Sequence, residues 1–449
     1  MSSDVQTWPL VKLSDLITIK HGFAFKGEFF SDVPTEFQLT TPGNFAIGGG
    51  FQIGKGKYYA GEYPAEYVLK QGDLIVTMTD LSKAADTLGY AAIVPETEGT
   101  TWLHNQRVGL IQIKPDAPVV LEFLHYLMRT AEYRHSVVST ATGSTVKHTS
   151  PGRICEYEFR LPPEWIQVEI GKILTAHDDR IALLRETNAT LEAMAQALFK
   201  SWFVDFDPVY ANAGTKQMIN PASSPSDFVG DPAAPLDSRL RGNDDLLPPE
   251  LQTLFPATFT ETPQGLVPEG WEIGALQDLL VLQRGFDLPA SDRTEGLYPI
   301  IAASGPSGSH EKAMVKGPGV ITGRSGVLGK VFFTLEDYWP LNTTLWIKEF
   351  KRATPCYALE VLNRLDMLSF NAGSAVPSLN RNHIHGLPYL LPPIELVNHF
   401  ELIAMPIQQR MHANNQQAQT LATLRDTLLP RLISGQLRRL PEAALAEVV

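Results

Sequence analysis

The sequence predicts an α+β protein with a pseudo-two-fold internal repeat, in which a globular module followed by a long helix occurs twice in tandem. Three observations support this fold class. The chain matches itself at a shift of 263 residues near its start and of 230 residues further along, Leu-Pro-Pro ends each module, and apolar residues then recur every seven positions. Self-similarity at a fixed shift indicates a repeat, and a seven-residue apolar period indicates a helix with an apolar seam.

The opening of each unit is the first matched region. It predicts a short helix and then a strand that ends in Gly-Phe, followed by short strands in a stretch rich in glycine and aromatic residues. We predict strands at 72–76 and 91–94 in the first module and at 320–322 and 330–333 in the second. The shift of 263 pairs Trp8, Leu13, Asp15, Leu16, Gly22 and Phe23 with Trp271, Leu276, Asp278, Leu279, Gly285 and Phe286.

The end of each unit is the second matched region. The shift of 230 aligns a Gly-Ser pair, the Leu-Pro-Pro turn and the helix after it without a gap. Proline ends the module because it cannot continue the preceding element but suits the first turn of a helix. Each helix spans roughly 40 residues, or about 60 Å, and such a helix is stable in water only if its apolar stripe is buried.

The apolar seams predict that the two helices pack along each other as a coiled coil. One polar residue in each seam would fix the register at some cost in stability. The second seam has the poorer d positions, which are Ala404, Met411, Ala418, Arg425 and Leu432. The alternative is two unrelated helices, each lying on its own module. The predicted seam residues are Ile181, Leu184, Asn188, Leu191 and Leu198 in the first helix and Ile407, Met411, Asn414, Leu421 and Leu428 in the second.

The segment between the two units is rich in Pro, Ser, Gly and Asp, so we predict an acidic linker that is largely mobile in its middle. From Asp205 to Thr262 the chain has nine acidic and three basic residues, which is −6 of the net charge of −12. The predicted boundaries are 1–163 for the first module, 164–206 for its helix, 207–262 for the linker, 263–393 for the second module, 394–440 for its helix and 441–449 for a tail.

The composition limits the classes of function. A net charge of −12 argues against a general nucleic-acid binder because phosphate contacts need Lys and Arg, although half of that charge lies around the linker. Cys155 and Cys356 are too few for a disulfide framework or a four-ligand zinc site. The N-terminus lacks an export signal and no apolar run reaches roughly 18 residues, so we expect a cytoplasmic protein without a metal site or a membrane span.

Three groups of motifs make the repeat similar to a known family. They are Ala-Leu-Phe-Lys-Ser-Trp-Phe-Val-Asp-Phe-Asp-Pro at 197–208, Leu-Phe-Pro at 254–256 with Val-Pro-Glu-Gly-Trp at 267–271, and Leu-Leu-Pro-Arg-Leu-Ile-Ser-Gly-Gln-Leu at 428–437. Together with the duplication, they make the chain resemble, over nearly its whole length, the specificity subunit of type I restriction-modification systems. The two modules then correspond to target recognition domains.

The resemblance implies a DNA-binding subunit that does no chemistry and binds no cofactor itself. In that family the subunit reads both halves of an asymmetric, interrupted site in double-stranded DNA, and its two helices pair antiparallel as a spacer. Methyltransferase subunits, of which two are expected, methylate adenine at N6 with S-adenosylmethionine. A restriction subunit that uses ATP and Mg²⁺ is a further expected partner.

Polar loop clusters are the candidate DNA contacts, because donors and acceptors read base edges whereas cations and hydroxyls bind phosphates. Gly143-Ser144 matches Gly373-Ser374, so we assign this shared pair to phosphate binding. Positions that differ between the copies are better candidates for reading bases. The candidates are Lys57, Tyr58, Asn105, Arg107, Ser144, Lys147, His148 and Arg153 in the first module and Arg324, Asn342, Ser374, Asn380, Arg381 and Asn382 in the second.

Other classes of function were weighed against this one. A methyltransferase would need a motif such as Asn-Pro-Pro-Tyr and a glycine-rich cofactor loop, which the sequence lacks. A metal-dependent nuclease would rest on Asp337, Glu349 and Lys351, which have no counterpart in the first copy. A scaffold that binds only proteins fits the helices equally well. If the chain instead binds DNA, two modules held at a fixed distance predict half-sites that are one DNA turn, or about 34 Å, apart.

Overall fold

A computed structural model describes residues 8–54, 56–82, 84–214, 247–263, 265–370 and 378–437. The chain divides into two compact units, which do not coincide with the two repeats of the sequence. The first contains residues up to 183 together with those from 417 onward, and the second contains residues 184–416. Each unit therefore includes part of both long helices.

The first half of the chain mixes helices and strands, as the sequence predicts. Its strands are β1 (Leu10–Lys12), β2 (Ile17–His21), β3 (Phe30–Ser31), β4 (Phe37–Thr40), β5 (Tyr58–Tyr59), β6 (Leu74–Thr77), β7 (Thr79–Asp80), β8 (Ala91–Ile93), β9 (Thr101–His104), β10 (Val108–Ile113), β11 (Lys147–His148) and β12 (Glu158–Arg160). Its helices are α1 (Leu13–Leu16), α2 (Leu121–Leu127), α3 (Ala131–Ser139), α4 (Pro151–Cys155), α5 (Glu164–Phe203) and α6 (Asp207–Asn212).

The second half repeats most of this order. Its strands are β13 (Phe259–Thr262), β14 (Gly265–Pro268), β15 (Glu272–Ala275), β16 (Leu280–Arg284), β17 (Tyr298–Ala302), β18 (Gly305–His310), β19 (Gly319–Gly323), β20 (Val331–Thr334), β21 (Trp339–Pro340), β22 (Thr344–Phe350) and β23 (Pro388–Leu391). Its helices are α7 (Pro249–Gln252), α8 (Leu276–Leu279), α9 (Pro355–Arg364), α10 (Arg381–His385) and α11 (Ile394–Ile433).

Each module is built on a four-stranded antiparallel sheet with the same strand order. The order is β2-β10-β6-β8 in the first module and β16-β22-β19-β20 in the second. The strands predicted at 72–76 and 91–94 are β6 and β8, and those predicted at 320–322 and 330–333 are β19 and β20. Strand β6 is buried along its whole length, which agrees with its continuous Leu-Ile-Val-Thr sequence.

The first and last strands of each module are hydrogen bonded to each other. In the first module β1 pairs with β12, and Leu10 lies opposite Arg160. In the second module β15 pairs with β23, and Glu272 lies opposite Leu391. The chain therefore arrives at each module and leaves it at adjacent positions, immediately before a long helix begins.

The two modules differ in the sheet that accompanies the central one. The first module contains a second four-stranded sheet, in the order β3-β5-β4-β9. The second module has a three-stranded sheet, in the order β18-β17-β21. The matched glycines lie 121 residues apart in the first copy (22 to 143) and 88 apart in the second (285 to 373), which is a difference of 33.

In the first unit, parts of both long helices pack on the module. Ile170 and Leu174 of α5 and Leu428 and Leu432 of α11 lie in one core with Phe123 and other side chains of the module. Each side chain of this size that becomes fully buried contributes roughly 2 kcal/mol to folding. The apolar seam is thus part of the core of the unit.

In the second unit, the corresponding parts of the helices run in opposite directions. Asn188 of α5 contacts Asn414 of α11, and Phe199 contacts Phe400, so rising residue numbers on one helix meet falling numbers on the other. Of the ten predicted seam residues in the two helices, Ile181, Leu184, Asn188, Asn414, Leu421 and Leu428 are buried, while Leu191, Leu198, Ile407 and Met411 are partly buried.

The ends of the predicted linker are ordered. Val209 of α6 and Phe255 are buried in the core of the second unit. The Asn212 side-chain amide donates to the backbone carbonyls of Gln252 and Phe255, at 3.0 and 2.9 Å. Apolar residues at both ends of an otherwise polar segment explain this order. Residues 215–246, for which we predict mobility, and the tail from 441 lie outside the described residues.

The long helices carry too many charged and polar residues to cross a lipid bilayer. Among the helices that the structure describes, none is both long enough and apolar enough to span a membrane.

Candidate nucleic-acid interface

Three loops of the first module meet at one edge of its central sheet. The backbone N–H of Met78, which follows β6, donates to the carbonyl of Arg107 at 2.9 Å. The N–H of Thr149 donates in turn to the carbonyl of Met78 at 3.0 Å. Residues 78–80, 105–107 and 147–149 therefore form one surface, called here the first loop edge.

The second module has the same backbone arrangement. The N–H of Arg324, which follows β19, donates to the carbonyl of Thr343 at 2.8 Å, and the N–H of Leu379 donates to the carbonyl of Arg324 at 2.9 Å. Residues 324–325, 341–343 and 378–382 form the second loop edge. Arg324 thus occupies the position of Met78, and Thr343 occupies that of Arg107.

The Gly-Phe pairs are needed to bring these loops together. A Cβ atom on Gly22 would lie 2.2 Å from the carbonyl oxygen of Asn105, and one on Gly285 would lie 2.2 Å from that of Leu341. The next residues, Phe23 and Phe286, form backbone bridges to the same two positions. Only glycine permits such close approach of two backbones, which gives the repeated motif a physical reason.

Most candidates in the first module lie at or beside the first loop edge. Arg107 and His148 are exposed and Lys147 is partly buried. The His148 Nδ1 atom lies 3.2 Å from the Thr79 hydroxyl, which orients the ring. Arg153, in the helix that follows, is exposed and donates from Nη1 to the Thr140 carbonyl at 2.8 Å.

Asn105 of the first loop edge and His104, the last residue of β9, shape the loop between β9 and β10. Asn105 is only 7% exposed, and its side-chain oxygen accepts from the Arg107 N–H at 3.1 Å. His104, just before it, is fully buried with Nε2 2.8 Å from the Val108 carbonyl, and burial lowers its pKa to about 4. His104 is therefore uncharged at neutral pH. The prediction that Asn105 contacts DNA stays a prediction.

Asp80 is a residue of the first loop edge that the sequence did not reveal. Burial alone raises its pKa, but hydrogen bonds from the Ser82 N–H and from the N–H and hydroxyl of Thr87 outweigh this and hold the pKa below its usual value. The backbone of Asp80 pairs with that of Lys147. The ionised carboxylate thus fixes the loop that supports a candidate DNA contact.

In the second module, four candidates lie at the second loop edge with Arg324. Arg324 is partly buried, and Arg381 and Asn382 are exposed in the first turn of α10. Asn380 caps that helix, because its side-chain oxygen accepts from the Asn382 N–H at 3.0 Å. The side chain of Asn342 donates to the Asp287 carboxylate.

The remaining candidates lie elsewhere. Lys57 and Tyr58 belong to the other sheet of the first module, where the Lys57 ammonium lies 4.0 Å from the centre of the Phe30 ring and Tyr58 pairs with Ser31 in β3. Ser144 is exposed. Its matched residue, Ser374, lies outside the described residues. The structure therefore groups most of the predicted residues but not these.

A buried ionic network in the first unit was also missed. The Asp178 carboxylate of α5 accepts from Arg129 at 2.6 Å and from Arg425 of α11 at 2.5 Å, and the Tyr126 hydroxyl donates to it at 2.9 Å. Burial raises the pKa of Asp178, but the two guanidinium groups outweigh it and hold the pKa below its usual value. We call Arg129, Asp178 and Arg425 the first joint. The signal that could have revealed it was Arg425 in an otherwise apolar seam.

These features define a class of protein: a two-copy α+β chain whose modules each present an equivalent loop edge with exposed or partly exposed cations. In the described part of the chain, no acidic side chain pairs with Arg107, Arg324 or Arg381. Unpaired arginines on a loop are available for an anionic or base-edge partner.

Comparison with known proteins finds one family that part of the chain matches. Residues 6–193 match the family described as type I restriction modification DNA specificity domain. The chain is 24% identical over 377 residues to the type I restriction enzyme MjaIX specificity subunit of Methanocaldococcus jannaschii, covering 78% of this chain and 76% of that one. It is 26% identical over 373 residues to the type I restriction enzyme HindI specificity subunit of Haemophilus influenzae, covering 72% and 79%.

A solved structure has the same fold. The crystal structure of a type I restriction-modification system S subunit from M. genitalium matches with a TM-score of 0.55 and 14% identity, covering 95% of this chain and 96% of that one. The family match over residues 6–193 and the two relatives agree with the resemblance to specificity subunits of type I restriction-modification systems that the repeat and the motifs indicate.

Proposed function

We propose that this chain reads an interrupted, two-part site in double-stranded DNA, with one half-site at each loop edge, and that it has no catalytic centre of its own. The observation that supports this most is the shared backbone frame of the two loop edges, which carries different side chains. Met78 and Arg107 in one copy correspond to Arg324 and Thr343 in the other. Two loop edges with the same backbone arrangement but different side chains can recognise two different half-sites, as an asymmetric site requires.

The arginines have the chemistry for such readout. A guanidinium can donate two parallel hydrogen bonds to O6 and N7 of guanine, which gives roughly 1–3 kcal/mol of discrimination between bases. Arg107 comes from the loop between β9 and β10, whereas Arg324 comes from the loop after β19. The two edges would therefore place their cation over different base positions.

The long helices serve, in this proposal, as an antiparallel coiled-coil spacer between the two half-sites. Within the second unit the contacts of Asn188 with Asn414 and of Phe199 with Phe400 support antiparallel packing. Within the first unit the ion pair of Asp178 with Arg425 supports side-by-side contact of the same two helices. The burial of six predicted seam residues supports a continuous seam.

The proposed partners supply the chemistry. Two methyltransferase subunits would bring S-adenosylmethionine, and a restriction subunit would bring ATP and Mg²⁺. The net charge of −12 supports this division of work, because a chain with so few cations gains limited affinity from phosphates and needs basic partner surfaces around the DNA.

The test is to change one loop edge at a time and to sequence the methylated sites. Arg107→Ala and Arg324→Ala are made in the full chain and expressed with its methyltransferase partner. We expect each variant to relax the sequence requirement in one half-site only, by about 5- to 150-fold in preference for the original base. The matched control is Arg180→Ala, an exposed arginine of α5 away from both edges.

The same samples separate this function from a scaffold that binds only proteins. DNA binding by the complex at two salt concentrations should weaken as salt rises, because phosphate contacts release counterions. The proposal would be contradicted if both variants kept the original sequence requirement in both half-sites. It would also be contradicted if DNA binding did not weaken as salt rises.

The spacer role has its own test. A block of seven residues inserted after Ala189 of α5 should widen the unspecified gap between the half-sites and leave both halves unchanged, since it adds two helical turns to the spacer. An unchanged gap in the methylated sites would refute the spacer role while leaving the two loop edges as readers.

A further inference from the structure

A cavity of about 230 Å³ lies in the second unit, next to α9 and to the adjoining parts of α5 and α11. Its polar lining consists of Glu192, Glu360, Asn363, Gln408, His412 and Asn415. Glu192 and Asn415 are exposed, so the cavity reaches the surface. Phe333 and Met411 provide an apolar wall.

The Glu360 carboxylate is the unusual group in this cavity. Its side chain is 5% exposed, and no residue that the structure describes donates a hydrogen bond to it. Its nearest cation, the Arg364 guanidinium, lies 4.0 Å away. Arg364 is directed elsewhere, since it donates to the Gln196 carbonyl at 3.1 Å and lies over the Phe199 ring. A buried carboxylate without hydrogen bonds is costly unless a cation compensates it.

The charges around Glu360 leave that compensation incomplete. Burial raises the pKa of Glu360 to about 7, against the opposing effect of Arg364 and with a further contribution from Glu192. On α11, His412 lies 3.6 Å from Glu336, so its ring already has an acidic neighbour. Among the residues that the structure describes, no lysine or arginine lines the cavity.

The first joint shows what completes such a site. There the partly buried Asp178 accepts from two guanidinium groups of the chain itself, those of Arg129 and Arg425. The shift of 230 that relates the two long helices places Ala195 of α5 where Arg425 stands in α11, and Gln408 where Asp178 stands in α5. Ala195 is buried and small, so this position supplies no second guanidinium in the second unit.

We propose that the cavity of the second unit binds a small alkylguanidinium cation, whose charged group takes the role that Arg425 has in the first unit. The planar guanidinium would donate to the Glu360 carboxylate, with the side-chain oxygens of Gln408 and Asn363 as further acceptors. The alkyl chain would lie along Phe333 and Met411 towards the exposed Glu192. This site is separate from both loop edges and does not depend on DNA reading.

Isothermal titration calorimetry of the full chain at pH 8 tests the proposal with butylguanidinium as the probe and butylurea as its neutral isostere. We expect saturable one-to-one binding of butylguanidinium and at least tenfold weaker binding of butylurea. Glu360→Gln should weaken butylguanidinium binding at least tenfold. The matched control is Glu272→Gln, an acidic residue of β15 that pairs with Arg352 outside the cavity and should bind the probe as the unchanged chain does.

Two further measurements keep the result decisive. Binding should weaken severalfold from pH 8 to pH 6 in the unchanged chain, because protonation of Glu360 removes the charge, and Glu360→Gln should lack this dependence. If Glu360→Gln fails to fold, as judged by circular dichroism, Glu192→Gln at the exposed mouth replaces it and should weaken binding severalfold. Absence of saturable binding at pH 8, equal affinity for butylurea, or full affinity in the glutamine variant would overturn the proposal.

Discussion

The two units stabilise an acidic side chain beside the long helices in different ways: Asp178 is partly buried in the first unit and Glu360 is buried in the second. In the first joint, Asp178 has two guanidinium partners at hydrogen-bond distance and a tyrosine hydroxyl as a third donor. In the second unit, Glu360 has one guanidinium at 4.0 Å and a cavity beside it. Glu360 is not the counterpart of Asp178, because the shift of 230 places Gln408 at that position, so the two copies differ both in where the acid lies and in its partners.

The largest effect is expected from breaking the first joint. Asp178→Leu leaves Arg129, whose side chain is 3% exposed, as a buried cation without its carboxylate, which should lower the unfolding free energy by about 4 kcal/mol. Scanning calorimetry of the full chain measures this as a lower transition temperature. Glu272→Gln removes an exposed charge and is the control, with little change expected. A loss no larger than that of the control would mean that the network adds nothing to folding.

The next effect concerns a feature that the two copies share. Gly22→Ala and Gly285→Ala would each place a Cβ 2.2 Å from a backbone oxygen, so strands must separate, at about 2 to 3 kcal/mol in each case. Gly152→Ala is the control because nothing lies within 4 Å of its added Cβ. Thermal unfolding should show similar losses for both loop edges; a large loss in one copy alone would show that the frames are not equivalent.

A smaller effect, of opposite sign, is expected from Glu360→Gln. The folded-state pKa of about 7 lies above the ordinary 4.5, so ionisable Glu360 favours folding below pH 4.5 and this advantage is lost as the pH rises to 7. Relative to the unchanged chain, Glu360→Gln should therefore gain on the order of 2 kcal/mol between pH 4.5 and pH 8. Urea unfolding at both pH values measures the difference.

The first joint should respond to pH in the opposite direction. The pKa of Asp178 is held below its usual value, so its contribution is present above that usual value and is lost as the pH falls through the lowered pKa. The same urea series with Asp178→Asn should lack this acid-side loss. If Asp178→Asn and Glu360→Gln showed parallel pH profiles, the contrast between the first joint and Glu360 would be contradicted.

The smallest effect concerns the uncharged polar contact of the second unit. Asn188 and Asn414 are hydrogen bonded at 2.8 Å, and the Asn188 amide also donates to Asn415 at 2.9 Å. Asn188→Leu leaves Asn414 buried without this partner and should cost about 1 kcal/mol, whereas the double variant with Asn414→Leu should cost less. A double-mutant cycle by urea unfolding measures the coupling, and strictly additive losses would show that the pair does not interact.

The parts of the fold that repeat at short range were predictable from the sequence. The long helices begin at residues 164 and 394, directly after the Pro-Pro turns, because the turn and the apolar period are local signals. The Gly-Phe motif was also visible, but its purpose was not. The contact of Gly22 with the Asn105 carbonyl joins residues that lie far apart in the chain, and no local pattern encodes it.

The candidate site was predictable in its residue types but not in its geometry. Polar loops pointed to Arg107 and Arg324, yet only the hydrogen bonds through Met78 and Thr343 show that these arginines belong to equivalent surfaces. Arg425 looked like a flaw in an apolar seam. Its partner, Asp178, lies on the other helix, so pairing across 247 residues of the chain was needed to explain it.

The pairing of the first and last strands of each module has a consequence for how such chains change. Because β1 pairs with β12 and β15 pairs with β23, the segment between the paired strands starts and ends at neighbouring positions in each module. A segment of different length or content can occupy that place without moving the point where the helix starts. The 33-residue difference between the two modules is an example within one molecule, and it implies that either module can be exchanged while the other stays as it is.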